Sequence, residues 1–306
     1  MSKYLCCGNI MSDAVEDGSG NLSDIHPGGP AFYALAGVRL WTKDCRLVCQ
    51  TGEDYDGAYG NWLDGNGISR RSVRISAEHC TQHVLKYDKA DGTYSWRSLY
   101  GQENLGFLKT TPEHIEEAVT ESTAGFYLAQ NTDRIFWNKL ADIKSRRNIK
   151  MMWELEHTGE DALRRVMNVI GIADMWSLNL SEASMLFDIP REREEDMINL
   201  IMKMPVEMTL FRVGKRGAYC VTPTNAVFCP SIDIAESVDP TGCGNCSTGA
   251  AMYAHLEGYS PAEVVAIANI SAGFNAAQFG PYPLFTEVDM SRAQALLKET
   301  IRNMTK

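Results

Sequence analysis

The stretch DPTGCGNCSTGA, Asp239 to Ala250, decides the fold because two chemistries claim it. Read as C-x-x-C, Cys243 and Cys246 are a dithiol at the start of a helix, where the positive end of the helix dipole lowers a thiol's pKa. Read as T-G-C-G, Thr241 to Gly244 is a turn whose glycines let backbone N–H groups converge on an anion, with Asn245 just beyond it. The flanks separate the two. An extended segment, IDIAESVDP, enters the turn. NCSTGAAMYAHLEG leaves it, with Ala250, Ala254 and Leu256 spaced to pack a helix on a sheet and Gly258 placed to end it. Extended segment, glycine turn and helix in that order suit a phosphoryl group. A thioredoxin-like dithiol sits early in a βαβ pattern, and this pair lies late in the chain, so the redox reading is the lesser alternative.

Away from the turn, short apolar runs alternate with amphipathic segments from Gly125 onward, the rhythm of βαβ units and a parallel sheet. GFYLA (125–129), IKMMWEL (149–155) and MWSLN (175–179) read as strands that are apolar on both faces, and 133–147 and 160–169 as helices. EMTLFRV and AYCVTP read as two strands joined at Gly214 to Gly217. SPAE, Ser260 to Glu263, is a capping box with proline at the first helical position, opening a helix through Ala277. Residues 72–107 differ: HVLKYDKADGTYSWRSLYG alternates polar and apolar residues around Asp91-Gly92, the pattern of an antiparallel hairpin.

The formal net charge of −10 and the lack of a long Lys/Arg block argue against nucleic acid or an anionic membrane as a main partner. Nine cysteines, an odd number scattered through 306 residues, suit reduced thiols in a cytoplasmic protein rather than a disulfide framework. No run of about 18 apolar residues spans a bilayer, and MSKYLCCGNIM lacks the pattern of a signal peptide.

Asp239 to Gly249 resembles the second signature of the ribokinase-like (PfkB) carbohydrate kinase family, D-T-x-G-A-G-D followed by small residues and glycine. Other family features follow in order along nearly the whole chain. GNIMSD, Gly8 to Asp13, is similar to a first strand ending in a substrate-binding aspartate. GGPAFYALAGVRLW, Gly28 to Trp41, is similar to the first signature. Gly52, Asp54 and Gly57 match G-x-D-x-x-G, Asn179 and Glu182 match N-x-x-E, and VGKRG resembles the turn glycines near the nucleotide.

The resemblance implies one α/β domain over 1–306: a mainly parallel sheet flanked by helices, with a small β-lid from inserted segments near 14–25 and 72–107. Pairing of two lids is the route to a homodimer. It further implies ATP and Mg2+ as cofactors and a small sugar or sugar-like substrate. Asn9, Asp13, Gly28 and Gly29 would bind that substrate, Gly214, Gly217, Asp239 and Thr241 the nucleotide, and Asn179 and Glu182 the magnesium. Glu154 is a further metal or water contact. Gly242, Cys243 and Gly244 would cradle the transferring phosphoryl.

Position 245 departs from the pattern. The family has an aspartate there that takes the proton of the attacking hydroxyl; this chain has Asn245, an amide without basicity near neutral pH. A general base contributes about 10² to 10⁴ in rate, so the sequence is that of a slow kinase or of a catalytically silent sugar or nucleotide sensor. On this reading Asn245→Asp restores the base. The asparagine that usually follows the glycine pair is also replaced, by an aromatic at Phe32-Tyr33.

Overall fold

The computed structural model describes residues 2–17, 19–87, 94–104, 106, 108–155 and 160–305. The first half contains β1 (Tyr4–Cys7), β2 (Met11–Glu16), β3 (His26–Gly28), α1 (Pro30–Arg39), β4 (Cys45–Gly52), α2 (Asn61–Gly65), β5 (Val73–Ala77), β6 (Gln82–Tyr87), β7 (Tyr94–Tyr100) and α3 (Pro112–Ala118). Next come β8 (Gly125–Gln130), α4 (Arg134–Arg146), β9 (Lys150–Leu155), α5 (Ala162–Met167), β10 (Met175–Asn179), α6 (Leu180–Phe187) and α7 (Glu194–Ile201). The last third holds β11 (Met208–Arg212), β12 (Gly217–Val221), β13 (Ala226–Pro230), α8 (Cys243–Leu256), α9 (Pro261–Ala276) and α10 (Glu287–Met304).

Nine strands form one sheet in the order β13-β12-β11-β10-β9-β8-β1-β4-β5. It is parallel from β5 to β11, and β12 and β13 add an antiparallel edge. Helices cover both faces, which is why the central strands are apolar throughout. In β1, Tyr4 and Cys6 enter the core that also holds α1, α8 and α9, while Leu5 and Cys7 enter the opposite core with α3 and α4. That second core is built on Trp137, Trp153 and Trp176, whose rings follow one another at 4.8 and 6.1 Å between centroids.

A second sheet, β3-β2-β6-β7, contains strands from both segments expected to form a lid. β6 and β7 are antiparallel, as the alternation in 82–100 requires, and the expected turn at Asp91-Gly92 lies outside the described residues. Two boundaries differ from the sequence reading. Val73–Ala77 pairs in parallel with β4 at the edge of the main sheet, so in this stretch the second sheet begins at Gln82 and not near 72. Asp13 lies within the lid strand β2 and not at the end of the first strand, because the chain leaves β1 at Cys7 and re-pairs with β3 and β6. His26, Asp13 and His83 are consequently register partners in one row across three lid strands, on one face.

Helix α8 is pressed onto α1 through two glycines. A Cβ on Gly37 would lie 2.0 Å from the Cys246 carbonyl oxygen, and one on Gly249 would lie 2.3 Å from that of Ala34. Ser177 of β10 also meets Thr248 at 2.8 Å between hydroxyls. These contacts set where the N-terminus of α8 falls relative to the strand ends. Gly249→Ala is therefore expected to destabilise the protein by about 1–3 kcal/mol through backbone overpacking. Gly57→Ala, where the added methyl meets nothing within 4 Å, should stay within about 0.5 kcal/mol. Urea unfolding of the two variants checks this; equal effects would contradict it.

Candidate functional site

The turn before α8 is fixed from three sides. Gly242 has φ 73° and caps the helix, a conformation that favours glycine. Asp239 Oδ1 accepts the Thr241 backbone N–H at 3.0 Å and the Thr241 hydroxyl at 2.6 Å. Asn275 of α9 donates to the Thr241 carbonyl at 2.7 Å. From α1, the Tyr33 ring lies where a Cβ on Gly242 would be, 2.1 Å from that position. In the first turn of α8, the N–H groups of Gly244 and Asn245 find no backbone acceptor among the described residues, the ordinary condition of a helix start and the basis of its anion affinity.

The same geometry counts against the dithiol. Cys243 and Cys246 turn away from the helix end and donate to the carbonyls of Ala272 at 3.4 Å and Ser271 at 3.3 Å. Burial pushes the Cys243 thiol up to about 11 and Cys246 well above its usual value, opposite to what a thiolate nucleophile needs. Eight of the nine cysteines are buried, Cys243 is half-buried, and all are free.

Beside the turn lies a buried polar network that the motifs do not announce. Glu154, near the end of β9, accepts at Oε2 from the Tyr127 hydroxyl at 2.5 Å and from Asn245 Nδ2 at 3.0 Å. Its Oε1 pairs with Arg212 Nη2 at 2.8 Å, and the same nitrogen lies 3.8 Å from Glu182 Oε2. Arg212 ends β11 opposite Asn179 of β10. Its Nη1 sits over Gly244, 1.9 Å from where a Cβ would stand. Gly244 has no positive φ, and its bare α-carbon leaves the space that the guanidinium takes.

This network sets the meaning of Asn245. A carboxylate only accepts hydrogen bonds, so the Asn245 NH₂ faces Glu154, and Oδ1 is left on the other side of the amide. An aspartate at 245 would instead bring a second carboxylate to about the 3.0 Å now spanned by the amide's hydrogen bond to Glu154, and like charges that close cannot both ionise freely. Asn245→Asp alone is thus a repulsion as much as a restored base.

Asn179 and Glu182 form a capping box at the start of α6: the Glu182 N–H donates to Asn179 Oδ1 at 2.9 Å, and the Asn179 N–H to Glu182 Oε2 at 2.7 Å. With Asn179 Oδ1 and Glu182 Oε2 engaged and Arg212 beside the latter, Glu182 Oε1 is the oxygen of the pair left to meet a cation, directly or through water. Among the described residues no group of three or more His, Cys, Asp or Glu is placed to hold a metal.

The residues expected to bind substrate meet at the small sheet β3-β2-β6-β7. Gly29 has φ 91°, and a Cβ there would lie 2.8 Å from the Asn9 carbonyl oxygen; one on Gly28 would lie 2.0 Å from Asp13 Oδ2. Asp13 Oδ1 and His26 Nε2 are buried without a hydrogen-bond partner. Burial, and next the Asp239 carboxylate, push the Asp13 carboxyl up to about 8. The His26 ring stacks on Phe279 at 6.0 Å and 11°, and burial lowers its pKa. Asp239 thus joins the lid group to the glycine turn. Gly214, with φ 66°, and Gly217 lie in the turn between β11 and β12; a Cβ on Gly217 would be 2.1 Å from the Cys229 carbonyl oxygen. Gly52 and Asp54 brace the end of β4, with Asp54 accepting the Cys80 N–H at 2.8 Å.

Residues 12–287 match the profile of the pfkB family carbohydrate kinases, most of the chain. The chain belongs to that family. Its ribokinase-like fold recurs in solved structures of low identity. A putative ribokinase II from E. coli, in its apo form, has 16% identity and a TM-score of 0.77, over 98% of this chain and 100% of that one. Arabidopsis thaliana ribokinase complexed with ribose and ATP has 18% identity and a TM-score of 0.72, over 97% and 99%. Burkholderia thailandensis nucleoside kinase in complex with inosine has 17% identity and a TM-score of 0.71, over 95% and 96%. No curated protein matches the sequence. No helix among the described residues is long and apolar enough to cross a membrane.

In this pfkB-family chain the motifs name Asp13, Asp239, Glu182 and the glycine turn as expected site residues, and the structure sets Arg212, Tyr127 and His26, which no motif names, beside them. Asp13 also carries a pH prediction. A carboxyl whose folded pKa is raised stabilises fully below its unfolded value near 4, and that contribution is lost as pH rises toward about 8. Asp13→Asn is expected to flatten this part of the curve and to raise Tm relative to the parent at pH 8. Parallel Tm–pH curves for the two proteins would contradict it.

Proposed function

We propose that this protein transfers the γ-phosphoryl group of ATP to a hydroxyl of a small sugar, polyol or nucleoside. The observation that carries the reading is the continuity of Asp239 to Asn245. At one end Asp239 acts electrostatically on Asp13 and His26 under the lid. At the other, Gly244 and Asn245 touch Arg212 and Glu154 at the carboxyl ends of the strands, where ligands bind in open α/β sheets. A substrate hydroxyl beside Asp13 and a phosphoryl on the Gly244 and Asn245 N–H groups are brought together by one rigid turn.

In this reading Asn9, Asp13, Gly28 and Gly29 hold the substrate. The nucleotide lies along the Gly214–Gly217 turn, with Thr241 and Asp239 shaping the glycine turn. Asn245 Oδ1 accepts the hydrogen bond of the attacking hydroxyl and orients it, while Nδ2 stays anchored on Glu154; as the bond to the ADP leaving group breaks, the hydroxyl proton passes to an oxygen of the transferred phosphoryl and from there to water. Phosphoryl transfer depends mainly on positioning and charge stabilisation, so an orienting amide supports turnover, slower by about 10² to 10⁴ than a basic group in its place. Magnesium belongs to the family's chemistry; Glu182 Oε1, which the capping box leaves open, is the group that would meet it and would help neutralise the phosphates.

The test is release of ADP from Mg-ATP over a panel of sugars, polyols, sugar acids and nucleosides. The expected outcome is slow turnover with one class, cut about 10²-fold or more in kcat/KM by Asp13→Ala. Ligand binding by calorimetry with no ADP formed over the panel would overturn the kinase in favour of a sensor, the reading that the missing base also permits. Reversible cycling of Cys243-Cys246 would favour the dithiol.

A further inference from the structure

Arg212 lies where a phosphate-binding fold places its anion, yet no motif accounts for it. Its side chain is 13% exposed. Nη2 is held between Glu154 and Glu182, Nε is buried without a partner, and Nη1 covers the α-carbon of Gly244. A guanidinium carries five N–H donors in a rigid plane, and clamping one edge on carboxylates fixes the direction of the other. That other edge meets the helix N-terminus, which already favours negative charge. The N-x-x-E pair meanwhile closes on itself as a capping box, with Arg212 beside its carboxylate.

We infer that Arg212 is the phosphate-binding cation of this site: clamped by Glu154 and Glu182, it presents its guanidinium across Gly244 to the anion that the glycine turn receives. It supplies from the chain charge neutralisation that a metal held directly by Asn179 and Glu182 would otherwise give. The inference rests on the kinase reading and adds to it that ATP phosphates are held without a divalent ion. The rival account makes Arg212 only a counter-ion for two buried carboxylates.

Calorimetric titration of the full chain with ATP and with adenosine, in EDTA and in magnesium, separates these. The parent is expected to bind ATP in EDTA within about 10-fold of its affinity in magnesium. Arg212→Met should weaken ATP in EDTA by about 10- to 100-fold, the range for losing a charge-assisted contact, and leave adenosine unchanged. Because Arg212→Met strands two carboxylates, the triple variant Arg212→Met, Glu154→Gln, Glu182→Gln is measured beside it; it removes cation and carboxylates together. A counter-ion role predicts that the triple variant binds ATP like the parent, and that result overturns the inference. So does loss of all ATP binding by the parent in EDTA while it binds in magnesium, which leaves the kinase reading standing. A parent that binds ATP in neither buffer sinks both.

Discussion

The Glu154 carboxylate is the point on which the site depends. A buried carboxylate costs several kcal/mol unless it is paired and its oxygens are hydrogen-bonded. Here β8 supplies Tyr127, α8 supplies Asn245 and β11 supplies Arg212. Satisfying that one group ties three parallel strand ends to the N-terminus of α8. It also assigns the residue types around it. Position 245 must donate, which an amide does and a carboxylate does not. At position 244 the φ would tolerate a side chain, and the space one would fill is taken by the Arg212 guanidinium.

The lid side is arranged around a second carboxylate treated in the opposite way. Asp13 has a buried oxygen without a partner, and burial holds its carboxyl up toward neutrality. Register places His26 and His83 on either side of it. An unsatisfied buried polar group is tolerated where a ligand completes it. A saturated Glu154 thus stands at the turn and an unsaturated Asp13 at the small sheet, the latter being the group proposed to meet the substrate.

Much of this was legible in the sequence, for reasons that can be named. The strands from Gly125 to Asn179 were readable because a parallel sheet buried on both faces demands unbroken apolar runs. The start of α9 was readable because Ser260 and Glu263 are a local capping pair, and α8 because small residues follow a glycine turn. The lid boundary was not readable. Val73–Ala77 alternates like a lid strand, and only its pairing with β4 places it in the main sheet. Nor was Arg212: a cation ending an apolar strand looks like a solvated end until Glu154 and Glu182, 58 and 30 positions earlier in the chain, are seen on either side of it. The C-x-x-C ambiguity fell to local geometry, since both thiols donate to carbonyls of α9.

A double-mutant cycle between Asn245 and Glu154, read by urea unfolding at pH 7, tests the central claim most directly. Asn245→Asp alone is expected to cost about 1–3 kcal/mol, by exchanging a donor for a like charge beside a buried carboxylate. Glu154→Gln alone should cost a similar amount by stranding Arg212. Together they exchange amide and carboxylate across the same contact, so the pair should recover most of the loss, with a coupling energy of about 1.5 kcal/mol or more. Strictly additive losses would show that residues 154 and 245 do not act on each other, and the account of why this chain carries Asn245 would be wrong.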